Sequence, residues 1–405
     1  MATVRVFTPE DIPAACALFR RVHPQPQWQP EGGLEAYFRR ILFENPWRDL
    51  QLPSWAAEER GRLVGFYAVM PRRMLLSGRV LRVAVGCQFM VDPQQCDALT
   101  AFRLGKVFLS GPQDLSLADG ATDQSRRMWT AIGGTASLLY SLHWTRPLRP
   151  ARYLLRLLER HRHALRPLML AARPVTAAAD ALAAWLPPNR VYRQIDGLRE
   201  DLLDVPTMLQ CLPAMLDGTA LRPLYDAHSL AWLLDEAARK TRHGSLRGRA
   251  VLGAQNRPVG WYLYYARAGG IGEVLQIAAA DGWFDRVLRR LLADAWHAGA
   301  AAVRGRLDPR YVQEFSERHC WLRTEGTWTL VHSRDREVMD AIRQGKAGLS
   351  RLEGEWWLRF VDDESSDPAQ QTSGARLKPR SGATPRCAPA TPPEKSIPGS
   401  PGSTM

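Results

Sequence analysis

The side chains that could carry chemistry in this 405-residue sequence are spread over its length. Glu273 lies on a predicted strand with Gln276. Its carboxylate could take a proton as a general base, or sit solvated at a strand edge. Cys87, between Gly86 and Gln88, offers a thiol nucleophile or a small core residue. Asp119 and Asp123 fall where a strand ends and a helix begins, as polar site residues or as local caps. Tyr262 and Tyr264 alternate onto one strand face, to line a groove or to pack on a helix. Tyr311 and His319 are further polar candidates. The six Cys include no C-x-x-C, and the nine His no H-E-x-x-H. The expectation is reduced thiols and no metal.

The elements that position these groups alternate between strand and helix. Val4–Phe7 reads as a strand, and Asp11–Val22 and Gly33–Phe43 as helices. Ser54–Glu59 and Leu63–Met70 are strands about the turn Gly61-Arg62. Ser77-Gly78 joins Met74–Leu76 to Val80–Val91 in a hairpin. Ala98–Leu109 is helical, Leu115–Ala118 a strand, Asp123–Ile132 a helix and Leu138–Trp144 a strand. A similar order returns later, with strands at 249–253, 259–266, 271–279, 301–304 and 327–332 and helices at 224–240, 284–297 and 309–318. RLVGFY at 62–67 matches RPVGWY at 257–262, which points to an internal duplication.

Charge is unevenly placed. The chain has 54 Lys+Arg against 41 Asp+Glu, a net charge of +13. Arg outnumbers Lys 49 to 5, which with so much Ala looks like coding bias. From Arg146 to Arg173 there are eight Arg and one Glu, so this stretch alone holds +7. It reads as a helical connector over 149–189, docked between two domains with a solvated basic face. A membrane surface through 151–173 is a second reading, and nucleic acid a third, with little aromatic interleaving to favour it. The Pro/Ser/Gly-rich tail 362–405 has five acidic and five basic residues and reads as disordered. The first residues lack a basic start followed by an apolar run, so the expected location is cytoplasmic.

The strand and helix order resembles the GNAT superfamily of acyl-CoA N-acyltransferases. Arg62–Met70 resembles its third strand, QFMVDP at 88–93 the end of its fourth, and DQSRRMWTAIGG at 123–134 the helix after its fifth. The resemblance implies an α/β fold of two domains, 1–148 and 190–361. Each is a mixed, mostly antiparallel sheet flanked by helices. It implies a bacterial tandem transferase moving an acetyl or other acyl group from acyl-CoA to a small-molecule amine, with no metal. The alternatives are an inactive or repurposed tandem protein that binds a ligand, or a basic nucleic-acid or membrane-surface binder. By resemblance the first domain holds the CoA, through Gln88, Phe89, Met90 and Val91, the turn and helix start at Gln94, Gln95, Cys96, Asp97 and Ala98, and Ser125. The catalytic candidates are Glu273, Cys87 and Asp123. The phosphate loop departs from the family pattern, because no glycine lies between Gly86 and Gly105. Trp129 stands where the family has a tyrosine acid.

Overall fold

A computed structural model describes residues 2–23, 30–92, 94–95, 98–161, 173–183 and 198–358. The expected tail, 362–405, and parts of the connector lie outside them. Alternation of apolar side chains builds the first sheet. Phe66, Ala68 and Met70 face one core, while Tyr67 and Val69 face the other. Its strands are β1 (Thr3–Val6), β2 (Trp55–Glu59), β3 (Arg62–Leu76), β4 (Arg79–Val91), β5 (Leu115–Ala121) and β6 (Thr135–Ser137). The turn between β3 and β4 is Ser77-Gly78, with φ of 50° and 82°, the primed geometry that matches strand twist. β3 passes unbroken through Pro71, longer than the two strands expected there. Pro71 lies between the stretch that pairs β2 and the stretch that pairs a later strand, so its missing N–H costs no ladder bond.

The second sheet uses β7 (Leu142–Pro147), β8 (Arg199–Leu202), β10 (Ser245–Leu252), β11 (Pro258–Ala266), β12 (Ile271–Ala279), β13 (Ala302–Arg306) and β14 (Trp321–Thr324). The short β9 (Leu221–Pro223) joins the first sheet at β3, and β15 (Trp328–His332) joins it between β5 and β6. The strand orders are β1-β2-β3-β4-β5-β15-β6 and β14-β7-β13-β12-β11-β10-β8. Each half of the chain thus gives a strand to the other's sheet. β7 pairs β13 and β14, whereas β15 pairs β5 and β6. The sheets are mixed and mostly antiparallel, with helices against them, and together they make one compact unit.

The repeated RxVGxY segments have one physical reason in common. A Cβ on Gly65 would fall 2.8 Å from Leu104, and one on Gly260 within 2.7 Å of Ala278 O and against Val287. Glycine at both sites lets the helix that follows, Ala98–Leu109 or Phe284–His297, pack closely on the sheet. Among the described residues of the connector, Tyr153 packs on the second sheet, buried with Ile271 and Ala302, while Leu154 and Leu158 are exposed. Buried Asp180 accepts from Ala151 N and Arg152 N. Among the described residues no helix is long and apolar enough to cross a membrane.

Candidate active site

Each sheet contains one parallel strand pair that comes apart. β4 and β5 pair only over Val83–Val85 and Leu115–Leu117. β12 and β13 pair only over Ile271–Val274 and Ala302–Gly305. A bulge follows each last pair. On β4, Phe66 faces Met90 and Ala68 faces Cys87, so Gln88 and Phe89 share the place of one residue. Gln88 has a left-handed φ of 47°, as bulges favour. On β12, Leu263 faces Gln276 and Tyr264 faces Val274, leaving Leu275 extra. By register Gln88 corresponds to Gln276. Asp119 corresponds to Arg306, each four residues after the first pair of its strand.

The first parting is filled by the chain itself. On one face Tyr67 lies over Gly86, where a Cβ would be 2.7 Å from its hydroxyl. Tyr67 packs with Phe89 and Phe108, and Phe108 with Trp129. On the other face a strap, residues 347–358, crosses the opening. Glu355 N and Trp356 N donate to Asp119 on β5. Gln88 Nε2 and the Tyr37 hydroxyl donate to Leu358 O at 3.0 and 3.2 Å. Trp356, Trp357 and Leu358 are buried in the core beneath the helices Ile12–Val22 and Gly33–Leu42.

The second parting is open. A small cleft of about 50 Å³, partly open to solvent, runs between Val274–Ile277 of β12 and Arg306–Asp308 at the end of β13. Trp144, Phe284 and Phe315 line it, as do strap residues Ala347–Arg351 and Glu353. Glu353 is buried and accepts from Ser350 N and Oγ, Gln276 Nε2 and the Tyr225 hydroxyl. Burial raises its pKa above the usual carboxylate range. Among the described residues Glu353 makes no ion pair. Asp308, also on the wall, is held by Arg310 at 2.7 Å.

The sequence-derived candidates are not brought together. Glu273 lies within the paired part of β12, clasped by Arg304 and by Arg351 Nη1 at 2.7 Å. Burial pushes its carboxyl up, but the two guanidiniums outweigh it and hold the pKa below the ordinary value. Cys87 is buried in the first core, where burial pushes its thiol well above the usual range and keeps it protonated. Asp123 is exposed at a helix start, ion-paired with Arg126 and accepting from Trp328 Nε1. Met90 is core, Phe89 and Val91 are half-buried, and Gln94 and Gln95 are an exposed turn after β4. Cys96 and Asp97 lie outside the described residues, as does the side chain of Ala98. Ser125 N donates to Thr122, the cap of its helix. Tyr262 and Tyr264 pack on the helix Phe284–His297, and Tyr311 stacks on Phe284. Sequence reasoning missed Arg306, Arg351 and Glu353. The one available signal was the Trp356-Trp357 pair, whose burial draws the preceding charged residues inward.

No family model and no curated protein sequence matches the chain. Solved structures do match its shape. A protein from Enterococcus faecalis V583 described as "Probable N-Acyltransferase" aligns over 85% of this chain and 74% of its own, with 9% identity and a TM-score of 0.54. A GCN5-related N-acetyltransferase from Anabaena variabilis aligns over 83% of this chain and 73% of its own, with 11% identity and a TM-score of 0.54. Sheets with a parting parallel pair and shapes shared over most of the chain lead to one conclusion: the chain has the fold of the GCN5-related N-acetyltransferases.

Proposed function

We propose that the protein is an acyl-CoA-dependent N-acyltransferase whose donor lies in the second half's cleft. The observation that carries this reading is the cleft itself, which follows the parting of β12 and β13. Strands that separate leave backbone N–H and C=O groups free to pair with the amides of a pantetheine arm. The helix Phe284–His297 starts beside the cleft with no side-chain cap, so its first N–H groups suit the diphosphate. Glu353 takes a proton from the acceptor's ammonium. The neutral amine then attacks the thioester carbonyl, the C–S bond breaks, and the amine's second proton goes to the departing thiolate. The first half serves as support, because its own parting is filled by Tyr67 and the strap.

Calorimetric titration with acetyl-CoA tests the reading. Saturable binding is expected. Ile277→Trp, which fills the cleft, weakens it by about tenfold or more. Phe89→Trp, at the matching position of the first half, leaves it unchanged. Absence of binding to the wild type, or loss through Phe89→Trp alone, overturns the assignment.

A further inference from the structure

Arg351 is completely buried on the cleft wall. Its Nη1 is committed to Glu273, and its guanidinium lies 3.9 Å from the Trp356 ring centroid, which fixes its plane. Its Nε and Nη2 are buried and have no hydrogen-bond partner. These two nitrogens form one edge of the guanidinium, with N–H bonds that leave in parallel. That edge matches the two oxygens of a carboxylate. Arg306, which also lines the cleft, donates through Nη2 to Asp119 and leaves Nε unpartnered. Buried donors in folded proteins nearly always have an acceptor, so three such N–H groups beside one cleft call for a ligand.

Charge balance narrows the ligand. The four guanidiniums of Arg304, Arg306, Arg310 and Arg351 are matched by the carboxylates of Glu273, Glu325, Asp119 and Asp308. Each of these four guanidiniums thus already faces a carboxylate, and Glu325 is shared with the exposed Arg323, so none of the four is free to hold a doubly charged phosphate alone. Glu353, on the same wall, is the carboxylate left for a cation. A ligand that brings one carboxylate and one ammonium adds no net charge to the site, and offers a partner both to the open edge of Arg351 and to Glu353.

We propose that the open edge of Arg351 is a carboxylate subsite and that the acceptor is an amino-acid zwitterion, its carboxylate on Arg351 and its ammonium towards Glu353. This rests on the N-acyltransferase reading for its chemistry, but not for its binding. The test pairs the twenty free amino acids with their carboxamides, each with and without saturating CoA. It reads the thermal midpoint, and with acetyl-CoA the release of free thiol. At least one amino acid raises the midpoint and is acylated, and its carboxamide is weaker by about tenfold or more. Arg351→Lys keeps a charge for Glu273 but lacks the fork. It abolishes the preference for acid over amide and leaves acetyl-CoA affinity intact. Acylation of amides and simple amines as readily as acids overturns the proposal, as does no response to any amino acid. A loss of acetyl-CoA affinity in Arg351→Lys also overturns it, since the fork then holds a donor phosphate. An amino acid that binds where acetyl-CoA does not refutes the transferase reading and leaves the subsite standing.

Discussion

Replacing Asp119 by Asn isolates a buried charge while keeping the shape of the site. Asp119 is fully buried, and the Arg306 side chain that pairs with it is 3% exposed. Asn keeps one oxygen for the N–H groups of Glu355 and Trp356 but removes the anion. Arg306 is then left with Leu349 O and Ser350 O, at 3.3 and 3.4 Å. Breaking a buried pair from one side costs about 3–5 kcal/mol, and the remaining carbonyl contacts place this case near 3. That is a large part of the roughly 5–15 kcal/mol by which such folds are stable. Asp119→Ala also orphans two backbone donors and adds about 1–3 kcal/mol for each. The double variant Asp119→Asn with Arg306→Met removes both charges and recovers about half the loss or more. Urea unfolding followed by tryptophan fluorescence measures all three. A cost below about 1 kcal/mol for Asp119→Asn, or a double variant no better than the single, refutes this account of the buried pair.

Burial lowers the His243 pKa from 6.5 to about 3, so the folded state holds it neutral. Between those values the unfolded chain binds the extra proton, so stability falls as pH drops from 6.5 towards 3. His243→Phe removes that part of the fall, about 3 kcal/mol, in paired unfolding curves at pH 7 and 4. The opposite sign holds for Glu353. Its raised pKa destabilises the fold as pH rises from the ordinary carboxylate value through the raised one, and Glu353→Gln flattens that stretch of the same curves. Cys87 stays unlabelled by iodoacetamide in the folded protein, and Cys87→Ala retains acyl transfer; rapid labelling with loss of activity contradicts its placement. Gly260→Ala loses roughly 1–3 kcal/mol in urea, since its methyl meets Ala278 O and Val287.

Local rules exposed much of the framework. The Ser77-Gly78 hairpin and the RxVGxY repeat are set by residues close in sequence, and the structure has both of them. Strand partners are different. Strands are expected at Leu138–Trp144 and Thr327–His332, and the structure has Leu142–Pro147 and Trp328–His332, but alternation says which face is buried and not which neighbour is paired. The exchange of these strands between sheets was therefore illegible. The cleft was hidden for the same reason. Arg351 and Glu353 sit in a turn-like segment without periodicity and acquire meaning only against β12 and Arg306. Glu273 misled because its position on the strand was visible while its two guanidinium partners were not.

The crossed strands also bear on the order in which a ribosome can finish this protein. β5 emerges by residue 121, but its neighbour β15 begins only at Trp328. At about 5–20 residues per second, the edge of β5 waits roughly 10–40 s with its backbone unpaired. β7 waits similarly for β13, its first partner in the other sheet. The first half therefore cannot complete its sheet during synthesis of its own sequence. Its nascent edge is a natural client for a chaperone until the last strand arrives.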